Sequence, residues 1–172
     1  MNARIGGRLL LLLSLTACRA DAGDSGGDAH EHVHDTGAER GEGTQFVGCP
    51  DTIPAFDLGM STTSADGRIK AQLRGASSVP PVRFLNDWTL LFSDAQGNPL
   101  STVSLRQARA FMPVHGHYGT PDPRLVRHQD EPAVYDLNAL NLFMRGPWQV
   151  QLAVSTEGGG ETSLTFEVCV EE

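Results

Sequence analysis

The chain predicts an all-β fold, an immunoglobulin-like β-sandwich of seven to eight strands preceded by a signal peptide and a disordered tether. Three observations predict it. From about residue 56 onward, apolar residues alternate with polar ones at a period of two, the spacing of a half-buried strand. Turn-forming clusters of Gly, Asp, Asn and Pro interrupt that alternation at regular intervals, as in sandwiches. No segment holds a 3.6-residue apolar period over three turns, and no internal repeat is visible. Residues 45–172, about 130 in number, suit one domain with one core.

Taken in order, Phe56, Leu58 and Met60 alternate with Asp57, Gly59 and Ser61. Ala65-Asp66-Gly67 then signals a turn, and Ile69, Ala71 and Leu73 resume the alternation, so a hairpin is expected here. Trp88, Leu90 and Phe92 form the next strand, closed by the polar turn Ser93-Asp94-Ala95-Gln96-Gly97-Asn98-Pro99. Val103 and Leu105 alternate next, with Ala108 and Ala110 continuing toward Met112. Tyr135 and Leu137 mark a further strand. Trp148, Val150, Leu152 and Val154 pair naturally with Leu164, Phe166, Val168 and Val170 across the flexible loop Glu157-Gly158-Gly159-Gly160-Glu161.

The N-terminus specifies the compartment. Arg4 and Arg8 precede an apolar run from Leu9 to Leu13 that continues to Ala17. This is far short of the roughly 20 apolar residues a membrane-spanning helix needs, so residues 1–17 read as a signal peptide. The run ends in Leu15-Thr16-Ala17-Cys18, which resembles the lipobox of bacterial lipoprotein precursors. The resemblance implies cleavage before Cys18, lipid on its thiol, and a mature protein anchored to a membrane in the cell envelope. Arg19 follows in place of the Asp associated with inner-membrane retention, which favours the outer membrane, on its periplasmic or surface side. The alternative is an ordinary signal peptide with an incidental Cys18.

Residues 18–44 read as the lipidated Cys and a tether. Val33 is the only large aliphatic residue in 19–44, too little apolar surface to offset the entropy of ordering. Seven acids stand against Arg19 and Arg40, and the whole chain carries a net charge of −8. Such acidity argues against nucleic acid as a partner. Within the tether, His30, His32 and His34 alternate in a pattern that can wrap a divalent transition ion, or that serves as a polar spacer.

Three cysteines are present. With Cys18 lipidated, Cys49 and Cys169 remain as an even pair in an oxidising compartment. A disulfide between them would tie the start of the domain to its last strand. A metal-binding pair is the alternative, though the spacing lacks the CxxC pattern.

Met112-Pro113-Val114-His115-Gly116-His117 and Met144-Arg145-Gly146-Pro147-Trp148 carry the chemistry. In an extended segment His115 and His117 lie two apart and share a face. Imidazole and thioether donors are borderline to soft and suit copper rather than magnesium or calcium. Met112, His115, His117 and Met144 are therefore the candidate copper ligands, with Trp148 placed to shield them. The competing reading is a stiff structural loop in which Met packs and the histidines bond to carbonyls. His128, among Arg127, Gln129 and Asp130, reads as a surface residue.

The order of these features, Asp94 to Pro99, then Met112-Pro113-x-His115-Gly116-His117, then Tyr135, then Met144-x-Gly146-x-Trp148, resembles the YtkA-like domain, related to FixH-like proteins. The resemblance covers roughly residues 56–170. It implies the immunoglobulin-like sandwich read independently from the alternation. Some relatives are associated with copper handling and oxidase assembly. Tyr118 and Arg145 depart from the family pattern, and a lipid anchor replaces the FixH-like membrane helix, which weighs against an oxidase-specific role.

No nucleophile elbow, phosphate loop or zinc-protease helix is present in the sequence, so a non-enzymatic protein is expected. Two functions fit. One is a membrane-anchored accessory or metallochaperone-type protein that holds copper and passes it to a metal-receiving partner. The other is an interaction module that contacts another envelope protein, its Met-Pro-x-His-Gly-His loop being structural.

Overall fold

The computed structural model describes residues 48–157 and 160–171. The expected signal peptide, the lipidation site Cys18 and the tether histidines His30, His32 and His34 lie outside these residues. The described residues hold nine strands and no helix. They are β1 Ser61–Thr63, β2 Lys70–Ala76, β3 Phe84–Ser93, β4 Val103–Met112, β5 His117–Tyr118, β6 Arg124–Arg127, β7 Val134–Leu142, β8 Gly146–Thr156 and β9 Glu161–Val170.

The strands form two antiparallel sheets, one ordered β1-β2-β3-β7-β6 and the other β5-β4-β8-β9. Period-two alternation gives each sheet one apolar face. Leu73, Trp88, Leu90, Phe92, Leu137 and Leu140 of the first sheet share a single core with Val150, Leu152, Leu164, Phe166 and Val168 of the second. The Trp88 and Phe166 rings meet edge-to-face at 6.0 Å, and the buried Tyr135 hydroxyl donates to the Val103 carbonyl at 3.1 Å. Both contacts join one sheet to the other.

The odd spacing between Leu105 and Ala108 has a clear cause. A bulge falls between Leu105 and Gln107, so both Arg106 and Gln107 stay exposed while Leu105 and Ala108 both face inward. A second irregularity lies where β3 meets β7, between Asn86 and Trp88. There Asp87 accepts a hydrogen bond from the Ala139 N–H, and Ala139 takes a positive φ of 63°.

The first hairpin forms later than its apolar alternation suggests. Residues 56–60 are not strand. Leu58 is exposed at a turn with Gly59 at φ 97°, and pairing begins only at Ser61. Phe56 and Met60 still pack against the core, so the alternation reported burial correctly for these two but not for Leu58, and it did not report the ladder. The Asp66-Gly67 turn is as expected: Gly67 sits at φ 72° and its N–H bonds to the Ser64 carbonyl. Asp94 organises the Ser93–Pro99 turn by accepting from the backbone N–H groups of Gln96 and Asn98. Nine strands exceed the expected seven or eight because β5 and β6, two and four residues long, are too short to show alternation.

Cys49 and Cys169 are joined by a disulfide, with Cα atoms 5.7 Å apart and a sequence separation of 120. The pair is therefore structural and supplies no free thiolate to a metal.

Candidate functional site

The candidate site lies where β4 ends, β5 begins and β7 crosses to β8. Met112 is the last residue of β4 and is fully buried. Its carbonyl accepts from the N–H groups of both His115 and Gly116, closing a tight turn. Gly116 takes φ 65°, a left-handed conformation that glycine adopts without steric cost. The turn returns the chain so that His117 pairs directly with Met112 and Tyr118 with Phe111. Residues opposite one another in a ladder put their side chains on the same face, with Cβ atoms about 4.5–5.5 Å apart. His117 and Met112 are thus neighbours on the core-facing side.

Gly119 completes the turn's placement. Its N–H bonds to the Ala110 carbonyl, and a Cβ at this position would lie 2.0 Å from the Asn141 carbonyl oxygen. The β4–β5 arm therefore rests directly against the backbone at the end of β7. That contact brings His117 to Phe143, the first residue beyond β7.

The rings at this end form a short stack. His115 and His117 are nearly parallel, with centroids 5.6 Å apart and planes 8° apart. His117 lies over Phe143 at 5.2 Å and near Trp148 at 6.4 Å, and Phe143 meets Trp148 edge-to-face at 5.5 Å. Met144 packs partly buried against the core, and its carbonyl accepts from the Trp148 indole N–H at 3.0 Å. The structure thus brings His115 and His117 together, places Met112 beside His117, and links Met144 to them through Phe143 and Trp148.

One atom in this group has no partner. The Nε2 of His117 is buried and makes no hydrogen bond among the described residues. The other two such atoms among the described residues, Trp88 Nε1 and Asn141 Oδ1, are not the preferred metal donors that an imidazole nitrogen is. A buried polar atom left unpaired is costly, so an unfilled imidazole nitrogen calls for a ligand or a reason. Among the described residues no three of His, Cys, Asp and Glu gather in one place. An ion bound here would therefore draw on the two imidazoles and on thioether sulfur, a donor set suited to a soft ion.

His128, expected at the surface, is partly exposed there and has a carboxylate partner. Its Nε2 lies 2.9 Å from Asp136 Oδ2, and the Thr89 hydroxyl donates to Asp136 Oδ1 at 2.8 Å. Burial pushes the Asp136 carboxyl up, but the Thr89 and His128 hydrogen bonds more than offset this and hold it below its usual value. Thr89 and Asp136 face each other across β3 and β7, a pairing that sequence spacing alone does not reveal. His128 is a structural member of the ladder's polar side, about 35% exposed.

No family model, curated protein or solved structure matches the chain. The arrangement of residues alone carries the functional argument.

Proposed function

We propose that the chain is a lipid-anchored envelope protein, tethered to the outer membrane through Cys18, whose YtkA-like domain of immunoglobulin type binds Cu(I) as a non-enzymatic accessory protein. The observation that carries this reading is the buried, unpartnered Nε2 of His117, beside His115 and opposite Met112. Neutral imidazole and thioether can bind Cu(I) without a compensating carboxylate, and the surrounding Phe143 and Trp148 rings keep water from the ion. Two imidazoles with centroids 5.6 Å apart lie within the span that metal–nitrogen bonds of about 2 Å allow for two histidines on one ion.

The test is titration under reducing conditions against a chromophoric Cu(I) chelator. Sub-micromolar binding that disappears in a Met112→Ala, His115→Ala, His117→Ala variant of unchanged fold supports the proposal. Wild type that leaves all the copper on the chelator rules it out. A second reading is favoured by the ring stack itself, since His115, His117, Phe143 and Trp148 also form a packed layer. In that reading the domain is an interaction module and the loop is structural. It predicts a wild type without metal and a triple variant that unfolds.

A further inference from the structure

One segment of the surface does not behave as solvent-exposed backbone usually does. Val79, Val82, Phe84 and Leu85, between β2 and the start of β3, are 43% to 59% exposed. Normal alternation would bury one of two consecutive strand residues. Phe84 takes φ 73°, which interrupts the alternation and leaves both Phe84 and Leu85 facing outward. Contiguous exposed apolar side chains of this kind mark a contact surface.

The loop is built to hold that display. Asn86 is fully buried, accepts from the Val82 N–H and donates to the carbonyls of Val82 and Phe84. The single charge of the segment, Arg83, lies over the Phe84 ring at 5.0 Å and donates to the Phe143 carbonyl. The cation stays exposed at the edge of the tip, held by the Phe84 ring and the Phe143 carbonyl, where it can reach a polar headgroup while the neighbouring side chains are apolar.

Where the loop sits decides what covers it. Pro80 lines one cleft with Cys49 and Cys169. The loop that carries the apolar tip therefore lies at the end of the domain where the described residues begin. Arg83, through Phe143, also places it next to the His117 site. We infer that residues 79–85 are a membrane-docking loop that inserts its apolar side chains into the interface of a lipid bilayer and turns the His117 end of the domain toward it. A few apolar side chains alone give reversible membrane binding, and beside a lipid anchor they orient the domain rather than retain it. A domain leashed to the bilayer also meets it at a high effective concentration, which adds to the loop's own affinity. A protein partner or a second copy of the chain does not require the tip to lie beside Cys49, where the chain continues toward Cys18.

The inference rests on the proposed anchoring at Cys18, and the test separates the two. The mature chain, residues 18–172 with Cys18→Ser, is floated with phosphatidylcholine vesicles at millimolar lipid. Lipid on the wild-type Cys18 is read independently as a mass increment on the membrane-extracted protein. The unlipidated chain is expected to float, with little dependence on salt, and a Phe84→Asp, Leu85→Asp variant to partition at least ten-fold less. Melting temperature and Cu(I) binding should be unchanged in that variant. Failure of the unlipidated chain to float, or equal flotation of the variant, overturns the inference. So does a concentration-dependent dimer that the same variant abolishes without vesicles present, since that assigns the tip to a second copy.

Discussion

Replacing His117 with Phe should stabilise the protein while removing its metal site. The ring of His117 lies within an aromatic group, 5.2 Å from Phe143 and 6.4 Å from Trp148, and its Nε2 is buried without a partner. Burying an unsatisfied polar atom costs about 1–3 kcal/mol. Phenylalanine keeps the flat ring and its aromatic neighbours but carries no nitrogen to leave unpaired. His117 is only half-buried, so the slightly larger ring has room to settle. The expected gain is about 1–2 kcal/mol, which for a domain of this size raises the melting midpoint by roughly 4–8 °C. Urea and thermal unfolding of the metal-free protein measure it directly. His117→Ala is the companion variant: it loses the stack on both sides and should be less stable than wild type by about 2 kcal/mol. Cu(I) binding should be lost in both. If His117→Phe is as destabilised as His117→Ala, the imidazole nitrogen is serving the fold, and the argument from the orphaned atom fails.

Other outcomes follow from the same structure. Replacing Cys49 and Cys169 together by Ala opens a loop of 120 residues, and should cost about 5 kcal/mol in the chain-entropy view, read as a drop in urea midpoint that reducing agent reproduces in wild type. Gly119→Ala places a Cβ against the Asn141 carbonyl oxygen, backbone that cannot swing aside, and should destabilise by about 2–3 kcal/mol or more while disordering the β4–β5 arm in amide exchange. Asp66 is held down to about 2 by the Ser64 hydroxyl first, then by the Arg68 backbone N–H and guanidinium. Its folded value lies below its unfolded one, so its contribution is complete above about pH 4 and is lost as pH falls toward about 2. Unfolding midpoints measured from pH 5 to pH 2 should fall less steeply in Asp66→Asn than in wild type.

Sequence pattern reported the long strands well because each has one buried face. Trp88, Leu90 and Phe92, or Trp148 to Val154, have no other period that would bury them. It failed where tertiary contact decides. Phe56 and Met60 reach the core from a turn, and β5 exists because Gly119 lets its arm lie against β7. The same division holds at the site. Met112, His115 and His117 were legible as a set from their closeness in sequence, but the extended segment expected for them is a turn at 113–116, with only His117 in β5. The ring stack with Phe143 was not legible, nor were the unpaired Nε2 of His117 and the tie from His128 to Asp136, because each depends on strands distant in sequence. The exposed pair Phe84 and Leu85 depends on a backbone angle that residue type does not announce.

The disulfide has a mechanical consequence. Any tension that reaches the domain from its N-terminal side arrives at Cys49 and passes at once through the bond into Cys169, near the end of β9. β9 is held to β8 by ten consecutive paired positions, from Ser155–Glu161 to Gly146–Val170. A pull along the strands therefore loads this ladder in shear, with many hydrogen bonds sharing the force. The three-residue β1, which comes next in the chain and would otherwise peel away one pair at a time, carries none of it.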